Sequence, residues 1–107
     1  MAYRVLVSDP ANEDLDAAVG YIAVTLEAPG AAASLLDEYE EKLRLIADNP
    51  RLFGVDLYVS EAVSRQVRRC PVKRYGIYYT IDDEDKAIYV VAFTHGLRDT
   101  PGVIRKR

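Results

Sequence analysis

Apolar and polar residues alternate in the first few positions of the chain, and the apolar residues then follow the spacing of a helix. Residues 1–8 alternate in the way that predicts a strand. Asp9 is then suited to cap a helix, with Pro10 in the first helical position, where its missing N–H costs nothing. We therefore expect the chain to open with a strand that leads directly into a helix.

Two apolar stripes with spacings of three and four residues follow. The first stripe is formed by Leu15, Val19, Ile22 and Leu26, and the second by Ala32, Leu36, Tyr39, Leu43 and Ile46. The segment Glu27–Gly30 interrupts the pattern, and Pro50 ends it. Because so short a connection joins neighbouring antiparallel helices, residues 10–49 are predicted to form a helical hairpin, with its second helix at about 31–49.

The second half of the chain has the shorter period of β-strands. Strands are predicted at 65–72, 75–82 and 87–94, the last one apolar on both faces, as expected in the middle of a sheet. The polar segment 82–86 is predicted to be a hairpin turn. Residues 51–64 have no clear pattern and are predicted to be loop with a short helix or strand.

These elements predict one α+β domain over residues 1–107, with the order β-α-α-β-β-β. The helical hairpin needs to bury its stripes, and the three-strand meander at 65–95 needs cover on one face. We therefore expect two layers, with the hairpin packed on a small, mainly antiparallel sheet whose other face is open. Residues 100–107 end in Arg105, Lys106 and Arg107 and are predicted to be a mobile basic tail.

Composition indicates a globular protein whose charge is unevenly distributed. Half of the 107 residues are apolar and the formal net charge is −3. Residues 1–47 carry a net charge of −6 and residues 48–107 a net charge of +3, with five basic and no acidic side chains between Arg65 and Arg74. An acidic protein has no general attraction to nucleic acid, so this basic segment is interpreted either as a local contact surface or as a solvated face.

The lack of a signal-peptide pattern and the single cysteine predict a cytoplasmic protein. The first residues lack the basic and then apolar order of a signal peptide, and the apolar runs are too short to span a bilayer. Cys70 is the single cysteine, which excludes an internal disulfide and a cysteine metal cluster. No metal or cofactor is expected, and no membrane partner.

Several short motifs occur in an order and spacing that is similar to the RelE/ParE superfamily of type II toxins. They cover nearly the whole chain and comprise Ser8–Ala11, Asp14–Leu15, Tyr21–Ile22, Asn49–Pro50, Arg68–Arg69, Tyr75–Asp82 and His95–Asp99. The resemblance implies a two-layer RelE/ParE-like fold and a ParD- or RelB-like antitoxin as partner. It also implies that operator DNA is bound only through the toxin–antitoxin complex.

The superfamily contains two branches with different targets. One branch consists of ribosome-dependent endoribonucleases that cut mRNA, and the other, ParE-like, branch is associated with inhibition of DNA gyrase. Cleavage of RNA through its 2′-hydroxyl needs a base, an acid and a cation at the phosphate. His95 is the candidate acid–base group, and Arg68, Arg69, Arg74 and Arg98 are candidate cations.

Other catalytic side chains of the ribonuclease branch are missing from this sequence. The resemblance implies an arginine at the position of Tyr75 and a tyrosine at the position of Gly96. The sequence therefore favours a ParE-like toxin that inhibits gyrase by binding, with Arg65, Arg68, Arg69, Arg74 and Arg98 as contact residues for target or phosphate. A RelE-type ribonuclease with ribosome and mRNA as partners, and a non-toxic antitoxin-binding module, remain alternatives. The sequence does not identify the antitoxin-binding residues.

Three features have a structural and a functional interpretation. Arg98 and Asp99 either organise a turn, with Asp99 accepting backbone N–H groups and Arg98 pairing with a helix carboxylate, or contact the target. Cys70 is either a packed strand residue or a thiol activated by neighbouring arginines. The tyrosines of the meander either cover the sheet or stack on bases.

Overall fold

The computed structural model describes residues 2–107, so that Met1, part of the predicted strand at 1–8, lies outside the described residues. The strands are β1 (Arg4–Val7), β2 (Arg68–Val72), β3 (Tyr75–Asp82) and β4 (Ala87–His95). The helices are α1 (Asp9–Gly20), α2 (Pro29–Asp48), α3 (Leu57–Val63) and α4 (Thr100–Arg105). The α+β class and the order of the predicted elements are confirmed, α3 is a short helix of the kind allowed for within residues 51–64, and α4 is additional.

The four strands form one mixed sheet in the order β1-β4-β3-β2. The meander β2-β3-β4 is antiparallel, and β1 pairs with β4 in parallel. The register shifts between Tyr78, which is opposite Ala92, and Tyr79, which is opposite Val90. Val91 is therefore an extra residue of β4, a β-bulge that interrupts the regular ladder.

The N-cap of the helical hairpin is Ser8 and not the predicted Asp9. The Ser8 side chain accepts a hydrogen bond of 3.2 Å from the backbone N–H of Ala11, so Ser8 is the N-cap and Asp9 is the first helical residue. A π-helical turn at Tyr21–Thr25 continues α1, and Glu27 adopts a left-handed conformation with a φ of 50° where the hairpin turns. The structure therefore confirms the predicted break before the second helix.

The main core lies between the hairpin and one face of the sheet. Leu35, Tyr39 and Ile46 of α2 are buried there against Ile77 and Tyr79 of β3. Leu35, not the predicted Leu36, is the more deeply buried leucine of α2. The residues that α2 buries are Ala32, Leu35, Tyr39 and Ile46, which is the i, i+3, i+7 pattern of one continuous helical face.

The other sheet face is not open, contrary to the prediction. Val59 of α3 and Ile104 of α4 are buried on it against Val67, Tyr78 and Ala92. Both helices are capped by an aspartate, since Asp56 accepts from the N–H of Val59 and Asp99 accepts from the N–H of Gly102. These short helices form a partial third layer.

Three predicted boundaries are also corrected. The mobile tail predicted at 100–107 is wrong, because Thr100–Arg105 is helical and buries Pro101 and Ile104. Strand β2 begins at Arg68, not at Arg65, since α3 ends only at its left-handed C-cap Ser64 and residues 65–67 connect it to the strand. No helix within residues 2–107 combines the length and the apolar content that crossing a membrane requires.

Candidate functional site

The candidate arginines are distributed over several surfaces instead of one. Arg68 and Arg69 are consecutive residues of β2, so their side chains leave opposite faces of the sheet. Arg74 lies in the turn after β2, and Arg98 lies between β4 and α4. Arg65 borders a separate shallow depression beside Leu6 and Tyr89. The predicted basic segment is therefore continuous in sequence but not in space.

Arg68 has a structural role. Its Nη1 donates a hydrogen bond of 2.8 Å to the carbonyl oxygen of Phe53, which ties the connection after α2 to the first residue of β2. Its Nε is buried and has no hydrogen-bond partner among residues 2–107. Two of the three guanidinium nitrogens are therefore buried in the fold or bonded to it.

Arg69 and Arg98 meet in a cleft of about 350 Å³ between α3, the sheet and α4. We call it the arginine cleft, and its walls include Asp56, Tyr58, Arg69, Tyr78, Gly96, Arg98 and Thr100. Arg69 is held there by a hydrogen bond of 3.1 Å from its Nε to the hydroxyl of Tyr78, over whose ring its guanidinium lies. A Cβ at Gly76 would lie 2.6 Å from the Nε of Arg69, so this packing requires glycine.

Arg98 and Asp99 have the structural roles foreseen for them. Asp99 caps α4, and the Nη1 of Arg98 lies 4.0 Å from a carboxylate oxygen of Asp14 in α1. The Arg98 side chain is nevertheless 54% exposed. Asp14 also accepts two hydrogen bonds of 2.7 Å from Arg107 and one of 3.1 Å from the N–H of Phe93. Arg107 is thus committed to the fold and does not belong to a free basic tail.

His95 lies in a second depression, an apolar groove of about 590 Å³ beside the hairpin turn. We call it the histidine groove, and its lining includes Tyr21, Ile22, Leu26, Leu35, Lys73, Arg74, Tyr75 and His95. The imidazole packs edge-on against Tyr75, with ring centroids 5.3 Å apart, and its Nδ1 accepts a hydrogen bond of 3.1 Å from the N–H of Leu97. This hydrogen bond needs a lone pair on Nδ1, which places the proton of the neutral ring on Nε2.

Cys70 is a packed residue and not an activated thiol. Its side chain is fully buried in the main core. Burial raises the pKa of the Cys70 thiol to about 11, and this effect outweighs the opposing influence of Lys42 and Arg69. The interpretation as a small strand residue is confirmed.

The tyrosines of the meander mostly serve packing. Tyr79 is fully buried, donates a hydrogen bond of 2.8 Å to the carbonyl of Pro50, and has a pKa raised by burial to about 12. Tyr75 stacks on Phe93 at 5.0 Å, while Tyr89 is partly exposed. The exposed aromatic side chain at the arginine cleft is Tyr58, which the sequence analysis missed. Its place one position before buried Val59, in a helix capped by Asp56, would have indicated an outward direction.

The candidate acid–base residue and two of the candidate cations line different depressions. A phosphodiester would need its acid, its base and its stabilising cation within reach of a single phosphate. The imidazole of His95 lies in the histidine groove, whereas Arg69 and Arg98 lie in the arginine cleft. Arg74, the candidate cation in the turn after β2, lines the histidine groove together with His95.

Comparisons with known proteins agree with the fold. A sequence model of the family described as "ParE toxin of type II toxin-antitoxin system, parDE" matches residues 5–100. Among solved structures, a chain of the toxin-antitoxin complex RelBE2 from Mycobacterium tuberculosis is similar, with a TM-score of 0.59 and 19% identity, over 89% of this chain and 99% of that chain. No curated protein sequence matches. Because the family match spans nearly the whole chain, the chain belongs to the ParE toxin family of type II toxin–antitoxin systems.

Proposed function

We propose that this protein is a toxin that binds DNA gyrase and stalls it, so that cleaved DNA persists. The observation that carries the proposal is that Arg69 and Arg98 line the arginine cleft and His95 lines the histidine groove, where Arg74 is the one candidate arginine beside it. A toxin with this distribution of cations is better suited to occupying a target than to cleaving RNA. Family membership makes gyrase the first target to test.

Two further observations support binding over catalysis. The Nδ1 of His95 is occupied by the N–H of Leu97, so one of its two nitrogens is unavailable for proton transfer. The chain carries a formal net charge of −3, which opposes docking into ribosomal RNA.

A RelE-type ribonuclease is the second candidate. The observation in its favour is that His95 shares the histidine groove with Lys73 and Arg74, so that one imidazole and two cations border the same space. Lys73 is partly neutralised by Glu38, at 3.8 Å, and the groove is mainly apolar at its hairpin side. Cleavage would then depend on Arg74 alone for charge stabilisation, which is why this candidate is second.

The proposal includes a cognate ParD- or RelB-like antitoxin that neutralises the toxin. The similar RelBE2 chain comes from a toxin-antitoxin complex. Operator DNA would be bound through the antitoxin in that complex, in keeping with the acidic charge of this chain. The proposed target places the site of action in the cytoplasm.

Induction of the protein in a bacterial host distinguishes the candidates. Gyrase inhibition predicts filamentous cells and a DNA-damage response while protein synthesis continues, and co-expression of the antitoxin predicts normal growth. Immediate loss of protein synthesis would favour the ribonuclease. Unimpaired growth at high toxin levels would contradict both and leave the non-toxic antitoxin-binding module.

A further inference from the structure

Arg69 is a partly buried cation without an anionic partner. No carboxylate within residues 2–107 forms an ion pair with it. Its Nε is used by Tyr78, and its Nη2 has only a long contact of 3.5 Å with the carbonyl of Tyr75. A guanidinium that is fixed in place and removed from part of its water is stabilised by an anion that arrives from outside.

The acidic residues around the arginine cleft do not supply that anion. Asp56 and Asp99 are occupied as helix caps, each accepting a backbone N–H. Asp14 pairs closely with Arg107 and only at 4.0 Å with Arg98, so a single carboxylate faces two guanidinium groups. The lining of the cleft therefore contains two guanidinium groups and one carboxylate, that of Asp56.

An exposed aromatic side chain lines the same cleft, and an exposed leucine is the chain neighbour of two of its wall residues. Tyr58 in its wall is 72% exposed, and Leu97, between the wall residues Gly96 and Arg98, is 91% exposed. Tyrosine and arginine are the residues that protein interfaces use most as anchors, and an apolar rim around a charged pair excludes water from it. Neither side chain packs in the core, so packing of the fold does not explain why a large apolar residue occupies either position.

We propose that the arginine cleft receives an aspartate or glutamate side chain of the protein target, with a neighbouring apolar residue against Tyr58 and Leu97. The inference rests on the proposed function only for the identity of that target. A nucleic-acid backbone is disfavoured, because it needs an extended row of cations, and Arg65, Arg68 and Arg74 lie elsewhere.

Four substitutions, each of which removes one positive charge, test whether the target binds at the arginine cleft. Arg69→Gln and Arg98→Gln remove cations inside the cleft, whereas Arg65→Gln and Arg105→Gln remove exposed cations outside it. In a supercoiling assay with purified gyrase, the concentration needed for half-maximal inhibition is expected to be roughly 10–100 times higher for each cleft variant than for the wild type. This is the change expected when one charge-assisted hydrogen bond is lost. The two controls should stay within about twofold of the wild type, since distant exposed charges contribute little. Equal effects of all four variants would overturn the inference while leaving gyrase as the target.

A small probe tests the chemistry without gyrase. The acetylated, amidated peptide Asp-Leu is titrated into labelled wild-type protein, with Asn-Leu as its neutral control and a 5′-phosphorylated thymidine dinucleotide as the phosphate probe. The acidic peptide should shift the amide resonances of Tyr78 and Gly96, and Arg69→Gln should abolish the shift. If Arg69→Gln does not fold, Arg98→Gln, at a more exposed position, takes its place.

The outcomes separate the two proposals. Peptide binding in the cleft together with unaffected gyrase would refute the proposed target and retain the inference. Absence of shifts with the acidic peptide, or stronger shifts with the dinucleotide, would overturn the inference.

Discussion

Arg107 donates two hydrogen bonds, each 2.7 Å long, to the carboxylate of Asp14, 93 positions earlier in the chain. Its Nη1 also donates to the carbonyl of Val91, the extra residue of the β4 bulge, at 2.9 Å. The Asp14 side chain is only 7% exposed, and that of Arg107 is 20% exposed. One side chain therefore joins α1, the bulge and the segment after α4.

Replacing Arg107 by alanine is expected to destabilise the protein by about 2–3 kcal/mol, because it leaves a buried carboxylate with weaker partners. Thermal unfolding followed by circular dichroism measures the effect. Arg51→Ala is the matched control, since Arg51 also forms two hydrogen bonds with one carboxylate, that of Asp83, but on the exposed surface. A melting temperature lowered equally by both substitutions would show that burial of the Asp14 pair is unimportant.

Gly76→Ala should disable the arginine cleft through Arg69. The new Cβ would lie 2.6 Å from the Nε of Arg69 and 3.1 Å from the ring of Tyr78, so the guanidinium has to move. We expect the variant to inhibit its target as poorly as Arg69→Gln, within about threefold. Gly20→Ala is the control, because a Cβ there meets nothing within 4 Å, and it should keep full potency. Full potency of Gly76→Ala would show that the position of Arg69 is irrelevant.

The thiol of Cys70 should react with a disulfide reagent at pH 8 only after denaturation. Burial raises its pKa from about 9 to about 11, so the folded state favours the protonated thiol. This contribution to stability is complete below pH 9 and is lost as the pH rises from about 9 to about 11. Chemical unfolding at several pH values, compared with Cys70→Ala, measures the loss. Rapid reaction of the native protein would contradict the packed interpretation.

His95→Ala should leave growth arrest intact. The substitution removes the edge contact with Tyr75 and the acceptor for the N–H of Leu97, at a cost of about 1 kcal/mol in stability. Arrest and its antitoxin reversal, measured on induction, are expected to match the wild type. Loss of arrest in a folded variant would instead favour the ribonuclease.

The sequence predicted the parts of the fold that repeat a pattern. Stripes of three- and four-residue spacing located the hairpin, and alternation located the meander. Helix α4 was missed because Thr100–Arg105 contains Pro101 and Gly102 and only a short apolar segment, although Asp99 followed by Pro101 is a helix-start signal. Helix α3 has a similar aspartate cap and is as short.

The site was harder to predict because it depends on distant contacts. Adjacent arginines at 68 and 69 had to diverge once both were placed in a strand, and that much was available from the sequence. The pairing of Arg107 with Asp14, and the placement of Arg69 and Arg98 in one cleft, depend on how α4 packs against the sheet. No local sequence pattern predicts how α4 packs, because the residues that it brings together are separated by tens of positions in the chain.

The most direct test of the account is a supercoiling and cleavage assay with purified gyrase and purified toxin, with and without antitoxin. Ribosomes translating a defined mRNA are exposed to the same preparation in parallel. The account predicts accumulation of cleaved DNA by wild type and by His95→Ala alike, reversal by antitoxin, and intact mRNA. Unaffected gyrase together with mRNA cut by the wild type, but not by His95→Ala, would contradict it.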